Sequence, residues 1–246
     1  MRAVIFAGPS LPPGERRDCG VEIDWRPPVR QGELYRAALG RPAVIGVIDG
    51  YFEVTPTVWH KEILWAMAQG IHVFGAASVG ALRAAELDAF GMIGIGRIYE
   101  DFRDGVLEDD DEVAVLHGPA ELGYPPLTEA MVNIRATLAK AVRDNILTLQ
   151  AAVALTQTAK RLFYKGRTYE AVLSAAASGA GGQPDHLLDD FVSWLPIGRV
   201  DQKRRDALAM LDTIGMHLSA GTGPLRVGYE LAQTTAWQAA QRRAEE

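Results

Sequence analysis

The chain has 246 residues, of which 48% are hydrophobic and 23% charged, a composition typical of a globular protein that buries its own core. The net charge of -6 argues against nucleic acid as the main partner, because phosphate binding needs a basic face. A single cysteine, Cys19, excludes a disulfide within the chain and a cysteine metal cluster, and it fits a reducing cytoplasm. No run of about 18 apolar residues occurs, so we expect no transmembrane helix and no membrane partner.

Short apolar runs alternate with helical segments in the first half of the chain. The run 43–50 is nearly all apolar, which is typical of a strand buried on both faces. Strands are predicted at 3–8, 20–25, 43–50, 71–75 and 111–118, and helices at 32–40, 56–70 and 79–91. This alternation predicts an α/β fold with a mainly parallel sheet and flanking helices.

The second half has a helical pattern throughout. Helices are predicted at 128–145, 148–163, 169–179, 187–195, 200–215 and 229–246. We therefore divide the chain into an α/β domain at 1–125 and an all-helical C-terminal region at 126–246.

Ligands of open parallel sheets bind beyond the carboxyl ends of the strands. Three predicted strands end there in polar or small residues: the first before Ser10, the third at Asp49 and the fourth at Gly75, followed by Ser78. This convergence predicts a site at that edge of the sheet, with Ser10, Gly75 and Val79 as substrate-binding residues.

Ser78 lies in the sequence AASVG, a small-x-Ser-x-Gly turn between a strand and a helix. Small residues allow a sharp turn that exposes a serine hydroxyl beside the free N–H groups of a helix start, which stabilise an oxyanion. The same pattern fits a helix N-cap or an anion-binding serine. We name Ser78 as the candidate nucleophile, with these two alternatives open.

A nucleophilic serine needs a general base, and His60 lies on the preceding predicted helix. Asp49 is the carboxylate expected to orient it. The simpler readings are a core histidine for His60 and an Asp-Gly turn for Asp49.

Arg83 and Glu86 have the i, i+3 spacing that places them on one helix face. An exposed pair contributes only a few tenths of a kcal/mol, whereas a pair among apolar residues needs further partners. Either the face is exposed or the two charges bind a substrate.

The acidic run 108–112 is typical of a solvated turn, although alternation on a strand would place Asp110 and Glu112 on one face and His117 on the other. The chain contains no P-loop, no H-E-x-x-H and no EF-hand loop. We expect no metal and no cofactor.

Several stretches resemble, in order, the TfuA-like core domain family. They are FAGPSL, PPVRQGEL, IGVIDGYFEVTPTVWHKEIL, GAASVGALRAAELDAFGMIGIGRIY, DDDEVAVLHG and PLTEAMVNIRATL, which cover roughly residues 3 to 140. The family typically has GASSMGALRAAEL, so Ala77 occupies the place of a common second serine and Val79 that of a common methionine. Ser78 is then the sole hydroxyl on the turn.

This resemblance implies a role in peptide backbone thioamidation. TfuA-like proteins accompany YcaO enzymes and are thought to cleave a thiocarboxylated ThiS-like carrier protein to release sulfide. The implied partners are a YcaO enzyme, the carrier and the peptide substrate of the YcaO enzyme. Arg83 would bind the anionic carrier tail. The alternative is a non-catalytic scaffold for the YcaO enzyme and its peptide.

Overall fold

A computed structural model describes residues 2–17, 19–51, 53, 55–178 and 185–245 of the chain. It confirms the predicted fold class of a parallel sheet with flanking helices and a helical C-terminal region. Within these residues, no helix is both long and apolar enough to cross a membrane.

The chain divides into two compact units, which are described separately. The first comprises Met1–Glu108, Pro119–Tyr124 and Lys203–Glu246, and the second comprises Asp109–Gly118 and Pro125–Gln202. Residues 203–246 thus group with the α/β part of the chain, whereas the division predicted at residue 125 assigned them to the helical region.

The first unit contains a five-stranded, all-parallel sheet. Its strands are β1 (Arg2–Phe6), β2 (Glu22–Arg26), β3 (Val44–Val47), β4 (His72–Ala76) and β5 (Ile93–Ile95), in the spatial order β2-β1-β3-β4-β5. The first four strands lie where the sequence predicted strands, at 3–8, 20–25, 43–50 and 71–75. The glycine-rich segment of β5 gave no strand signal, because its three residues are too few to show a period.

Helices of the first unit pack on both faces of this sheet. The helices of this unit are α1 (Glu33–Leu39), α2 (His60–Ala68), α3 (Val79–Leu87), α4 (Arg97–Arg103), α9 (Gln202–Ser219) and α10 (Thr235–Glu245). The last of them, α10, packs on α1. One core joins Val4, Ile45 and Val73 of the strands to α1, α2 and α3. The alternate strand residues, such as Ile5 and Phe74, pack against α9. Burial of both faces explains why β3 is apolar throughout.

The second unit is a helical cluster. Its helices are α5 (Met131–Arg143), α6 (Leu149–Arg161), α7 (Tyr169–Ala177) and α8 (Asp185–Gly198), and side chains from all four share one core. The predicted strand at 111–118 is wrong. Asp110–Glu112 form a short 3-10 helix, and only an isolated bridge between His117 and Pro126 follows.

Candidate functional site

The carboxyl ends of β1, β3 and β4 lie side by side, because these strands are consecutive neighbours in the parallel sheet. The segments that follow them carry Ser10, Asp49 and Ser78 at the same edge. The sequence therefore predicted correctly that these three residues lie at one edge of the sheet. The contacts of each side chain indicate what it does at that edge.

Asp49 is 1% exposed and joins the segments after β1 and β3. Its Oδ2 accepts hydrogen bonds from the backbone N–H of Gly8 at 2.9 Å and of Ser10 at 3.0 Å, and its Oδ1 accepts one from the Ser10 hydroxyl at 2.6 Å. A buried carboxylate is stable only when such donors compensate for the lost water. Asp49 is thus a positioning residue that shapes the edge.

Ser78 lies on a strained turn between β4 and α3. Ala77 has φ +65°, a left-handed conformation that costs a residue with a side chain roughly 1–2 kcal/mol. Ser78 itself is 8% exposed and occupies the N-cap position of α3, yet its side chain makes no capping hydrogen bond. The N-cap reading therefore does not account for this hydroxyl.

Two glycines let this turn lie directly on the sheet. A Cβ built on Gly75 would lie 2.1 Å from the carbonyl oxygen of Gly80, and one on Gly80 would lie 1.8 Å from that of Val47. Real Cβ atoms do not approach backbone so closely, so each glycine is required by packing. The Gly80 N–H also donates to the Ile48 carbonyl at 3.3 Å. Because Gly75 has no side chain, the start of α3 can pack directly against β4.

Glu86 connects His60 on α2 with Arg83 on α3. Its Oε2 lies 2.8 Å from Nε2 of His60 and accepts a hydrogen bond from Nη1 of Arg83 at 2.7 Å. Arg83 is held further by its Nε, which donates to the Val58 carbonyl at 3.3 Å. The carboxylate hydrogen-bonded to His60 is therefore Glu86. The expectation that Asp49 would hold this imidazole is not met, because Asp49 is occupied at the ends of the strands.

The network is neither a fully exposed ion pair nor a fully buried one, the two alternatives that the sequence left open for Arg83 and Glu86. The side chain of Arg83 is 11% exposed, whereas those of Glu86 and His60 are 38% and 43% exposed. Burial by itself would raise the pKa of Glu86, but the hydrogen bond from His60 and the charge of Arg83 outweigh burial and lower that pKa. Glu86 is thus an ionised carboxylate that orients both a histidine and an arginine.

Four further residues interact near this edge and were not identified by the sequence analysis: Arg16, Arg30, Tyr51 and Tyr124. Burial raises the pKa of Tyr124, and the charge of Tyr51 and a hydrogen bond with it act in the same direction. Arg30 lies over the Tyr51 ring, 4.3 Å from its centroid. Burial lowers the pKa of Arg16, while Tyr124 and Asp49 oppose that effect. Tyr51 follows Asp49-Gly50 directly, and that adjacency was the one signal available.

The acidic run has a structural role in the second unit. Lys160 contacts Asp109 and Glu112 at 3.0 Å and also pairs with Asp111, whose other oxygen accepts from Arg167 at 2.6 Å. Arg135 donates to both oxygens of Glu112 at 2.9 Å. Among the described residues no group of three or more His, Cys, Asp or Glu side chains is arranged to hold a metal. Cations of the protein neutralise these carboxylates.

These features define an α/β protein with a parallel sheet, in which a non-capping serine starts α3 and a histidine–carboxylate–arginine network joins α2 to α3. The family model described as TfuA-like protein matches residues 49–168. The chain therefore contains the TfuA-like core domain, as its motifs indicated. The match includes Asp49, His60, Ser78, Arg83 and Glu86 but not Ser10. No curated protein matches the chain.

Proposed function

We propose that this TfuA-like protein acts in YcaO-dependent peptide backbone thioamidation, where it hydrolyses a thiocarboxylated ThiS-like carrier and releases sulfide for the YcaO enzyme. The observation that carries this proposal is the Ser78 hydroxyl, which lies at the start of α3 without capping it. Family membership supports the pathway. We assign the reaction to the cytoplasm, where the YcaO enzyme, the carrier and the peptide substrate meet.

The proposed chemistry is acyl transfer in two steps. The Ser78 oxygen attacks the thiocarboxylate carbon while His60 accepts the hydroxyl proton, and breakage of the carbon–sulfur bond leaves an ester on Ser78. His60 returns the proton to the departing sulfur. Water then hydrolyses the ester, so that one thiocarboxylate and one water give one carboxylate and one hydrogen sulfide.

Glu86 and Arg83 of the network and the backbone of Val79 have supporting roles in this scheme. Glu86 holds His60 through the 2.8 Å contact and stabilises its protonated form. Arg83 binds the anionic tail of the carrier, as a partly exposed guanidinium fixed by Val58 and Glu86 is suited to do. The backbone N–H of Val79, the first residue of α3, is the candidate oxyanion donor.

A non-catalytic scaffold for the YcaO enzyme is the second candidate function. The second unit exposes several large apolar side chains, which favours a protein contact surface. They include Leu127, Leu149, Val153, Phe163 and Ile197, with exposed fractions from 48% to 86%.

Sulfide release from a purified thiocarboxylated carrier tests the proposal and separates the two functions. We expect Ser78→Ala and His60→Ala to reduce release by at least about 100-fold without a change in melting temperature. Matched controls are Ser174→Ala, an exposed serine on α7, and Lys61→Ala, which is adjacent to His60. Release by Ser78→Ala at the parent rate would refute the hydrolase, and intact thioamidation by both site variants would favour the scaffold.

A further inference from the structure

A cavity of ≈ 290 Å³ lies in the first unit, between α1, the segment before α2 and α10. Tyr35 and Trp237 form its apolar wall, with their rings edge to face and 5.5 Å between centroids. The α/β reading of the sequence gave no sign of this cavity, because α10 lies about 200 residues beyond α1 in the chain. Its volume admits a ligand of one or two amino-acid residues in size.

Two residues that line this cavity carry a buried donor with no hydrogen-bond partner within the part of the chain that the structure describes. Trp237 is 1% exposed, and its indole Nε1 is fully buried and unpaired. The Thr55 hydroxyl is buried and unpaired as well. An unsatisfied buried donor costs roughly 1–3 kcal/mol, so a ligand that accepts from these groups recovers that free energy.

The charges around the cavity are mainly positive. Arg30, Arg36 and Arg243 line it, and the carboxylate among its lining residues is Glu62. Arg36 donates to the Ala244 carbonyl at 2.7 Å, whereas Arg243 makes no hydrogen bond or ion pair with any described residue. An arginine without a partner beside unpaired donors is suited to an oxyanion.

Glu62 is 2% exposed, and its hydrogen bonds come from backbone N–H groups rather than from these arginines. Its Oε2 accepts from the backbone N–H of Gly32 at 2.9 Å and of Tyr35 at 3.2 Å, and its Oε1 accepts from that of Trp59 at 3.0 Å. The carboxylate therefore joins α1 to the start of α2 and keeps the wall of the cavity in place.

We propose that this cavity binds the carboxylate of a small organic acid or of a polypeptide C-terminus, with the carboxylate beside Arg243 and the Trp237 indole and the apolar part against Tyr35. Hydrogen-bond donors beside an apolar wall in a small cavity favour a ligand that has both a carboxylate and a small apolar group over an inorganic ion. This site is separate from the proposed reaction at Ser78, so either can fail without the other.

Titration of the full-length, ¹⁵N-labelled protein with N-acetylleucine tests the site. The chain has five tryptophans, and the Trp237→Phe variant identifies the indole N–H signal of Trp237. We expect that signal to shift downfield and saturate with N-acetylleucine, because the indole N–H gains an acceptor. N-acetylleucinamide, which lacks the charge, should leave it unchanged.

Neighbouring arginines on α10 provide the control. Arg243→Gln should weaken binding by about three- to tenfold, whereas Arg242→Gln, one residue away and not lining the cavity, should not. Tighter binding of an acetylated tetrapeptide ending in leucine would identify a polypeptide C-terminus, and equal binding a small acid. An equal response to the amide or to inorganic phosphate, no shift at all, or equal effects of both arginine variants would overturn the proposal.

Discussion

Replacing Gly80 by alanine tests how the start of α3 is held on the sheet. A Cβ at this position would lie 1.8 Å from the carbonyl oxygen of Val47, 2.6 Å from its carbonyl carbon and 3.3 Å from the nitrogen of Ile48. These atoms are backbone, and β3 lies between β1 and β4, so it has no room to retreat. The start of α3, with Ser78, must therefore move away from the sheet by about 1 Å.

Two effects of opposite sign decide the size of the loss. Alanine gains up to about 1 kcal/mol over glycine from helix propensity. Overpacking against a well-packed core costs typically about 1–3 kcal/mol and sometimes more, and contact with backbone belongs at the upper end. We expect a net loss of about 2 kcal/mol, which lowers the melting temperature by about 4–8 °C in a chain of this length.

Thermal unfolding monitored by circular dichroism measures this loss, with Gly14→Ala as the matched control. An added Cβ at Gly14 meets nothing within 4 Å, and we expect that variant to melt within about 1 °C of the parent. Sulfide release should also fall in Gly80→Ala, because Ser78 is displaced. A Gly80→Ala protein that melts like the parent would refute the described packing of α3 on β3.

Three further outcomes follow from the geometry. Ala77→Gly should be neutral or stabilising by up to about 1 kcal/mol in thermal unfolding, because glycine tolerates φ +65°. The control is Ala76→Gly, which is equally buried in β4 and should be destabilising by about 1 kcal/mol. Equal losses in the two variants would contradict backbone strain at Ala77. The lowered pKa of Glu86 means that its stabilisation is present above the ordinary value of 4.5 and is lost as the pH falls through the lowered pKa. Because 38% of its side chain is exposed, we expect Glu86 to stabilise the fold by at most about 1 kcal/mol. The melting temperature should therefore fall more steeply from pH 6 to pH 3 in the parent than in Glu86→Gln. Parallel curves would show that the network does not stabilise the fold. If His60 is the general base, sulfide release should decrease towards acidic pH, because a protonated imidazole cannot accept the Ser78 proton, and a flat pH profile would contradict that role.

Much of the sheet and of the edge that carries Asp49 and Ser78 was predictable from local patterns. The apolar runs at 3–8, 43–50 and 71–75 each became a strand, because burial on both faces leaves no place for polar residues. The rule that ligands lie beyond the carboxyl ends of parallel strands then placed Asp49 and Ser78 at one edge. The motif around Ser78 also indicated the TfuA-like family, which the match over residues 49–168 supports.

Local patterns failed where short segments or charges depend on distant partners. The run 111–118 alternates as a strand does, yet its carboxylates pair with Arg135 of α5, Lys160 of α6 and Arg167 before α7, which follow later in the chain. Similarly, an aspartate near a histidine in sequence was expected to orient it, but Asp49 is occupied by Ser10 and Glu86 takes that place. Spacing along the chain gives no information about which of two carboxylates reaches an imidazole.

The sequence by itself thus determined β1 to β4, most of the helices and the edge of the sheet where Ser78 lies, because these depend on periodicity and on small residues that are close in the chain. The tertiary structure alone decided which helix covers the second face of the sheet and which groups line the cavity beside Trp237. In both cases the contacts join α9 or α10 to residues more than 100 positions earlier. Such pairings are selected by the burial of complementary apolar surfaces in three dimensions, and a one-dimensional pattern carries no trace of the partner.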